Sequence, residues 1–195
     1  MMQAVLGMVK ELAKKIGRLI LGEYSAYYVY SSQEKSGAPP GLESSSSRCI
    51  RPVDKNAVET SGEALIRDQA FYLGSEALAY ASYLDDRIVG LCIYWYGERY
   101  RKRNFWPLQS REAKLVQIVT VPGQRGAGIA TELIAFSCMD VLAKGFDKTY
   151  ARIWHSNTPS IRAFERAGWS RRALVLEFNP LRRKQPIRMQ FETKA

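Results

Sequence analysis

The chain has 195 residues, a length that suits one α/β domain with an extension and is short for two full domains. A hydrophobic share of 46% is enough for a sizeable core, and a net charge of +10 favours anionic partners: nucleic acid, a membrane surface or a phosphorylated small molecule. Three scattered cysteines and one histidine exclude a disulfide framework and a structural zinc site, and no apolar run reaches the ~20 residues that span a bilayer. These features predict a cytoplasmic protein with reduced thiols and no metal.

The first part of the chain predicts an amphipathic helix over residues 2–21. Apolar residues recur there at steps of three and four, and the basic residues lie mostly outside that stripe. Such a helix is typical of contact with an anionic membrane or a partner, or of packing against its own domain or a second copy of the chain. We favour packing, because amphipathic helices mostly cover cores. A strand at 24–32 and a Pro-, Gly- and Ser-rich connection at 33–47 follow, so we place an N-terminal extension at 1–47 and the main domain at 48–195.

The main domain alternates between strand and helix patterns. The expected elements are a strand at 49–53, one helix from Asp54 to about 70, a hairpin of strands 77–84 and 87–96 that turns at Asp85-Asp86, a basic and aromatic loop at 98–109, a strand at 113–121, a helix at 128–144, a strand at 148–155, a helix at 158–167 and strands at 174–178 and 187–192. This order predicts a mixed sheet with helices on its faces.

The strongest functional signal is a glycine-rich stretch at 119–130, where a strand runs through three glycines into a helix. The free backbone N–H groups of a helix's first turn, together with the helix dipole, bind phosphate oxygens. Two other phosphate loops do not fit. A P-loop needs Lys and Ser or Thr where Ile129 and Ala130 stand, and a dinucleotide fingerprint needs Gly or Ala at Thr131. An ordinary strand–helix turn would still explain the glycines if the loop stood alone.

Two motifs together resemble the GNAT acetyltransferase superfamily. Pro122-x-x-Arg125-Gly126-x-Gly128-x-Ala130 is similar to its acetyl-CoA loop, Arg/Gln-x-x-Gly-x-Gly/Ala. Asn157-x-x-Ser160-x-x-x-Phe164-x-x-x-Gly168-Trp169 resembles its second motif, Asn-x-x-Ser/Ala-x-x-x-Tyr/Phe-x-x-x-Gly-Phe/Trp. The resemblance covers roughly residues 49–192. It implies an α/β (α+β) fold with a mixed, mostly antiparallel twisted sheet that is splayed at the cofactor site and flanked by helices, here with an N-terminal helical extension.

The resemblance also implies acetyl-CoA as the cofactor and a site that holds it. The backbones of Ile118 and Thr120 would pair with the pantetheine arm, and the Ile118 N–H would stabilise the oxyanion, an effect worth ~3 kcal/mol for such a donor. Asn157 would contact the arm. The residues expected to bind the cofactor are Ile118, Val119, Thr120, Gln124, Arg125, Gly126, Ala127, Gly128, Ile129, Ala130, Asn157, Ser160 and Phe164.

Proton transfer has several candidates in the sequence. An ammonium group must lose a proton before it attacks, and the departing thiolate benefits from a proton donor. Family members often use a tyrosine of the second motif as that donor, but Phe164 stands at this position. Besides the Ile118 N–H, the candidate catalytic residues are His155, Glu112 and Tyr150. An exposed charge at a strand end also explains Glu112, and a half-buried strand position also explains Tyr150.

The sequence therefore predicts an N-acetyltransferase that moves an acetyl group from acetyl-CoA to a primary amine by direct attack. Basic and aromatic residues interleave at 98–109, which favours an anionic, ring-bearing acceptor, although a solvated loop explains them as well. We expect a small-molecule or sugar amine. The alternatives are a protein N-terminus or lysine as acceptor, and a non-catalytic acyl-CoA-binding regulator. No nucleic-acid motif accompanies the charge, so no nucleic-acid partner is expected. A homodimer and peripheral membrane contact through the N-terminal helix stay open.

Overall fold

The computed structural model describes residues 24–32, 48–101, 105–180 and 186–193. Its strands are β1 (Tyr24–Ser31), β2 (Arg48–Pro52), β3 (Ala77–Leu84), β4 (Arg87–Trp95), β5 (Glu112–Thr120), β6 (Lys148–Trp154), β7 (Ser170–Phe178) and β8 (Ile187–Glu192). The helices are α1 (Lys55–Glu59), α2 (Ala64–Arg67), α3 (Gly97–Arg101), α4 (Ile129–Ala143) and α5 (Thr158–Arg166), with 3-10 turns at Ala70–Tyr72 and Pro122–Gln124. The predicted helix at 2–21 and the connection at 33–47 lie outside the described residues.

The strands form one sheet in the order β2-β3-β4-β5-β6-β1-β7-β8. Every neighbouring pair is antiparallel except β5 and β6, which are parallel. The predicted mixed, mostly antiparallel sheet with flanking helices is therefore confirmed. The predicted N-terminal helical extension gains no support, because the described part of the chain begins with a strand.

Strand β1 lies inside the sheet, between β6 and β7. It is antiparallel to both, and Tyr27 lies opposite Trp154 on one side and Val175 on the other. Its side chains at Tyr27, Val29 and Tyr30 are fully buried. The strand that the sequence places in the extension thus supplies an interior strand of the sheet, while the division of the chain after residue 47 stays a prediction.

Hydrophobic clusters cover both faces of the sheet. On one face, α4 packs its Leu133 and Ile134 against the strands, and the Tyr94 hydroxyl lies 2.9 Å from Ser137 Oγ. Gly90 allows this close packing, because a Cβ there would lie 2.6 Å from the Ile129 side chain. On the other face, α1, α2 and the residues around Phe105 pack against the sheet. None of the described helices combines the length and apolar character needed to cross a membrane.

Two local predictions were wrong. The single helix expected from Asp54 to about residue 70 is divided into α1, α2 and a 3-10 turn, because Gly62 follows α1 and glycine is a poor helix former. Asp54 does cap α1 as predicted, since its carboxylate accepts a hydrogen bond from the Ala57 N–H at 2.8 Å. The expected loop at 98–109 begins as the short helix α3. The hairpin turn at Asp85 and Asp86 is confirmed, with φ of 48° and 61°.

Candidate active site

Strands β5 and β6 pair over only part of their length. Their parallel ladder joins residues 112–115 to residues 148–151 and then stops. At the same point the register between β5 and β4 shifts, because Ile93 pairs with Gln117 while Tyr94 pairs with Leu115. Val116 is therefore the extra residue of a β-bulge, which bends its strand and increases the local twist. The bulge accounts for the gap that opens between β5 and β6.

A cavity of about 250 Å³ occupies this gap. Its walls come from both strands, from the start of α5 and from the 3-10 turn before β3. The lining residues are Tyr72, Lys114, Leu115, Val116, Gln117, Ile118, Ala151, Arg152, Ile153, Trp154, Asn157, Ser160 and Phe164. The cavity thus joins the two faces of the sheet at the point where the strands part.

Main-chain groups of β5 point into the gap. The Val121 N–H donates to the Val89 carbonyl on β4 at 2.9 Å. Because main-chain groups alternate in direction along a strand, the peptide groups of Ile118 and Thr120 point to the opposite side, where β6 no longer pairs with β5. These groups are not paired with β6, so they are positioned to bind an extended ligand in the gap.

The glycine loop presents an open helix start. Gly128 precedes α4 with φ 81°, and no side chain caps the helix. The first intrahelical bond runs from the Glu132 N–H to the Gly128 carbonyl, so the N–H groups of the residues between them face outward. A Cβ at Gly126 would meet nothing within 4 Å, and one at Gly128 only the Glu132 carboxylate at 3.7 Å. Because no side chain caps the helix, its first-turn N–H groups are open to an anion such as a diphosphate.

The second motif begins α5 at the edge of the cavity. Asn157 caps the helix, and its Oδ1 accepts a hydrogen bond from the Ser160 N–H at 3.2 Å. The side-chain amide nitrogen of Asn157 is thereby left to donate elsewhere. Phe164 is 2% exposed and packs edge-on against Trp169, with ring centroids 5.0 Å apart. Its ring closes the cavity on the α5 side without offering a proton.

The comparison with protein families agrees with this geometry. The model of the acetyltransferase (GNAT) family matches residues 48–169 of the chain, more than half of its length. The chain belongs to the GNAT acetyltransferase family. No match to the sequence is found among curated proteins.

Solved structures share the fold of this GNAT chain. It is similar to a GCN5-related N-acetyltransferase from Sphaerobacter thermophilus, with a TM-score of 0.58, 17% identity, and coverage of 89% of this chain and 57% of that one. It is also similar to an acetyltransferase of the GNAT family from Colwellia psychrerythraea, with a TM-score of 0.55, 15% identity, and coverage of 90% and 59%. The chain spans less than two thirds of the length of either neighbour, and at these identities the likeness shows the fold alone.

Of the side chains predicted to be catalytic in this GNAT chain, Glu112 and Tyr150 lie together, and His155 lies apart from them. The Tyr150 hydroxyl donates to Glu112 Oε1 at 3.2 Å, and the other Glu112 oxygen accepts the Gln109 N–H at 2.8 Å. Burial raises the pKa of Tyr150, and the Glu112 charge raises it further. His155 is exposed, with Nδ1 3.0 Å from the Ala26 carbonyl oxygen. None of the three lines the cavity.

Sequence reasoning found Ile118, Asn157, Ser160 and Phe164 but missed the other cavity residues, among them Tyr72, Lys114, Arg152 and Trp154. A lysine next to the apolar residues Ala113 and Leu115 was the available sequence signal, and in the structure Lys114 is only 4% exposed. The alternation of Arg152 and Trp154 along β6 also fits a half-buried strand. Nothing in the sequence places Tyr72 at the gap, because that contact depends on how a 3-10 turn packs against β5 and β6.

Proposed function

We propose that this GNAT protein transfers the acetyl group of acetyl-CoA to a primary amine of a small molecule or sugar by direct attack. The observation that carries this proposal is the gap between β5 and β6, flanked by an unblocked helix start at Gly128 and by Asn157. The chemistry of this gap and of the helix start suits an elongated ligand with a diphosphate at one end. When bound, acetyl-CoA supplies an activated thioester.

The main chain would do most of the binding. The backbone from Gln124 to Ile129 would hold the diphosphate. The Gln124 and Arg125 N–H groups already donate to the Val121 and Pro122 carbonyls, so the N–H groups from Gly126 onward would be the donors, and the Arg125 guanidinium would add positive charge. The peptide groups of Ile118 and Thr120 would pair with the pantetheine arm, and the side-chain amide of Asn157 would donate to it, with Ser160 alongside. The Ile118 N–H would stabilise the oxyanion formed on attack, worth ~3 kcal/mol for such a donor.

Proton transfer would use side chains on the face of the sheet opposite α4. Among the described residues that line the cavity, only Tyr72 and Ser160 carry a hydroxyl, so we assign Tyr72 as donor to the departing thiolate. Glu112, which accepts a hydrogen bond from Tyr150, is the proposed base for the amine. A water would connect Glu112 to the cavity. His155 is the second candidate base.

One observation favours a second function, that of a non-catalytic acyl-CoA-binding regulator. Phe164 stands where the family often has a tyrosine, and its ring, which is buried against Trp169, carries no hydroxyl. A protein that binds the thioester without turnover would need no proton donor.

Thiol release from acetyl-CoA, measured with a panel of amines, separates the two functions. We expect turnover on at least one amine, a fall in kcat of about a hundredfold or more in Tyr72→Phe, as is usual for loss of a general acid, and little change in coenzyme A affinity. Glu112→Gln and His155→Ala test the two bases in the same assay. Tyr83→Phe, which changes a tyrosine outside the cavity, is the matched control. Binding without turnover on every amine would favour the regulator.

A further inference from the structure

The side-chain amide of Gln117 is held in one orientation at the cavity wall. Gln117 lies on β5 directly after the bulge at Val116, and it lines the cavity. Its Nε2 donates to the Gln69 side-chain oxygen at 2.6 Å. Gln69 is 7% exposed, and its own Nε2 donates to the Leu65 carbonyl at 2.9 Å. Two glutamine amides therefore form a chain of hydrogen bonds that ends at a main-chain oxygen of α2.

The main-chain end of this chain of bonds sets its direction. A carbonyl can only accept, so the Gln69 nitrogen faces Leu65 and the Gln69 oxygen faces Gln117. The Gln117 nitrogen must then face Gln69, because two oxygens cannot bond to each other. The Gln117 side-chain oxygen is left to accept a hydrogen bond, and no described residue donates one to it. The cavity wall thus carries an oriented acceptor.

The bulge determines which face of the sheet Gln117 occupies. Leu115 packs in the hydrophobic cluster on the α4 face, and in a regular strand Gln117 would share that face, since it is two residues further on. The extra residue Val116 reverses the alternation, so Gln117 pairs with Ile93, whose side chain lies in the cluster of the opposite face. Phe164 closes the cavity on the α4 face. Gln117 therefore lies on the side of the cavity away from Phe164.

We infer that the side-chain oxygen of Gln117 binds the reacting amine by accepting one of its N–H groups, and that it thereby selects primary over secondary amines. This inference rests on the proposed function and deepens it at the acceptor end of the same site. Gln117 adjoins Ile118, whose N–H is proposed to stabilise the oxyanion, and neighbouring Cα atoms are ~3.8 Å apart. An amine bound to Gln117 would therefore lie close to the thioester carbon.

The number of N–H groups on the nitrogen makes Gln117 selective. As the nitrogen bonds to the acetyl carbon and the C–S bond breaks, one N–H proton passes to the proposed base, and the sulfur gains a proton from the proposed donor. A neutral primary amine has a second N–H that stays bound to Gln117 throughout, whereas a secondary amine has none left. Because the nitrogen gains positive charge during attack, this hydrogen bond strengthens towards the transition state and raises kcat.

Methylation of the reacting nitrogen tests the inference. Phenethylamine is compared with N-methylphenethylamine, and glucosamine with its N-methyl derivative, at saturating acetyl-CoA. Gln117→Met keeps the length of the side chain but offers only a weak acceptor. We expect the primary-to-secondary ratio of kcat/KM to fall about tenfold in this variant, as for loss of a hydrogen bond to a charged group, while the bulk of the methyl group affects both proteins alike. The same ratio in both proteins would overturn the inference.

Gln69 acts as a positioning residue for Gln117. Gln69→Met removes the oxygen that orients the Gln117 amide, so it should lose part of the preference for primary amines. Added to Gln117→Met, it should cause no further loss, because both act through the same oxygen. Gln190→Met, on the exposed strand β8, is the matched control and should keep the full preference, and urea unfolding shows that each variant folds. Full preference in a folded Gln69→Met variant would overturn the positioning role.

Direct binding separates this inference from the proposed function. Trp154 lines the cavity and is 45% exposed, so its fluorescence should report phenethylamine or glucosamine entering the complex with coenzyme A. The affinity should fall about threefold or more in Gln117→Met and stay the same in Gln190→Met. Weaker binding to Gln117→Met without turnover on any amine would reject the proposed function and retain the amine-binding role of Gln117. Turnover with equal binding and equal ratios in Gln117→Met would do the reverse.

Discussion

Gly128 combines an unusual backbone conformation with a position at the helix start. Its φ of 81° favours glycine, and the space where a Cβ would lie is open apart from the Glu132 carboxylate 3.7 Å away. We predict that Gly128→Asp weakens coenzyme A binding by more than about a hundredfold, because a carboxylate at the diphosphate site costs several kcal/mol at low effective dielectric. Isothermal titration calorimetry measures the Kd.

Gly128→Asn is the matched control for this substitution. Asparagine has nearly the same shape and a similar tolerance of positive φ, so both variants carry the same conformational cost. The difference in Kd between them isolates the charge. If the two variants bound coenzyme A equally well, the diphosphate would not lie at this turn.

Phe164 and Tyr72 show how far single residues can be interpreted from the sequence. The motif spacing was enough to put Phe164 beside Asn157, because both lie on one short helix whose geometry is local. Tyr72 precedes that helix by more than eighty residues, and only the packing of the sheet brings it to the same cavity. A proton donor on a distant element cannot be found from motif spacing.

The first turn of α4 contains a carboxylate that an ion pair neutralises. The Arg48 guanidinium holds Glu132 through Nε at 3.2 Å and Nη2 at 2.6 Å, and both side chains are about 15% exposed. Glu132 suits the positive end of the helix, but its charge next to Gly128 would repel a diphosphate. The pair therefore leaves the helix start able to bind an anion.

We predict that Arg48→Met lowers coenzyme A affinity by about five- to tenfold and stability by about 1–3 kcal/mol, because it leaves a partly buried carboxylate without its cation. Calorimetry and urea unfolding measure the two quantities. The double variant Arg48→Met with Glu132→Gln should recover most of the affinity, since the repelling charge is gone. A double variant that binds as weakly as Arg48→Met would show that Arg48 acts by another route.

The sheet as a whole depends on β1. This strand pairs with β6 and β7 along both edges and buries Tyr27, Val29 and Tyr30 completely. Each such side chain contributes ~1.5–3 kcal/mol, against a total stability of ~5–15 kcal/mol for a typical domain. Losing the strand would also expose the inner edges of β6 and β7, which promotes aggregation.

We therefore predict that a fragment of residues 48–195 does not fold, although it contains the whole segment that matches the family model. Circular dichroism and urea unfolding should show no cooperative transition, whereas a fragment of residues 22–195 should unfold cooperatively. Adding a peptide of residues 22–33 to the shorter fragment should restore coenzyme A binding. A shorter fragment that folds and binds on its own would mean that β1 is dispensable and that the division after residue 47 is a true domain boundary.

Local chemistry explains what the sequence by itself determined. The caps, turns and glycines that start and end elements act within a few residues, so most strands, the start of α4 and the order of the two motifs follow from the pattern along the chain. Tertiary structure alone decided the interior position of β1, the bulge at Val116 and the meeting of Lys114, Arg152 and Tyr72 around one cavity. Those features depend on which strands pair and which faces meet. Such contacts join residues far apart in the chain, and no local spacing encodes them.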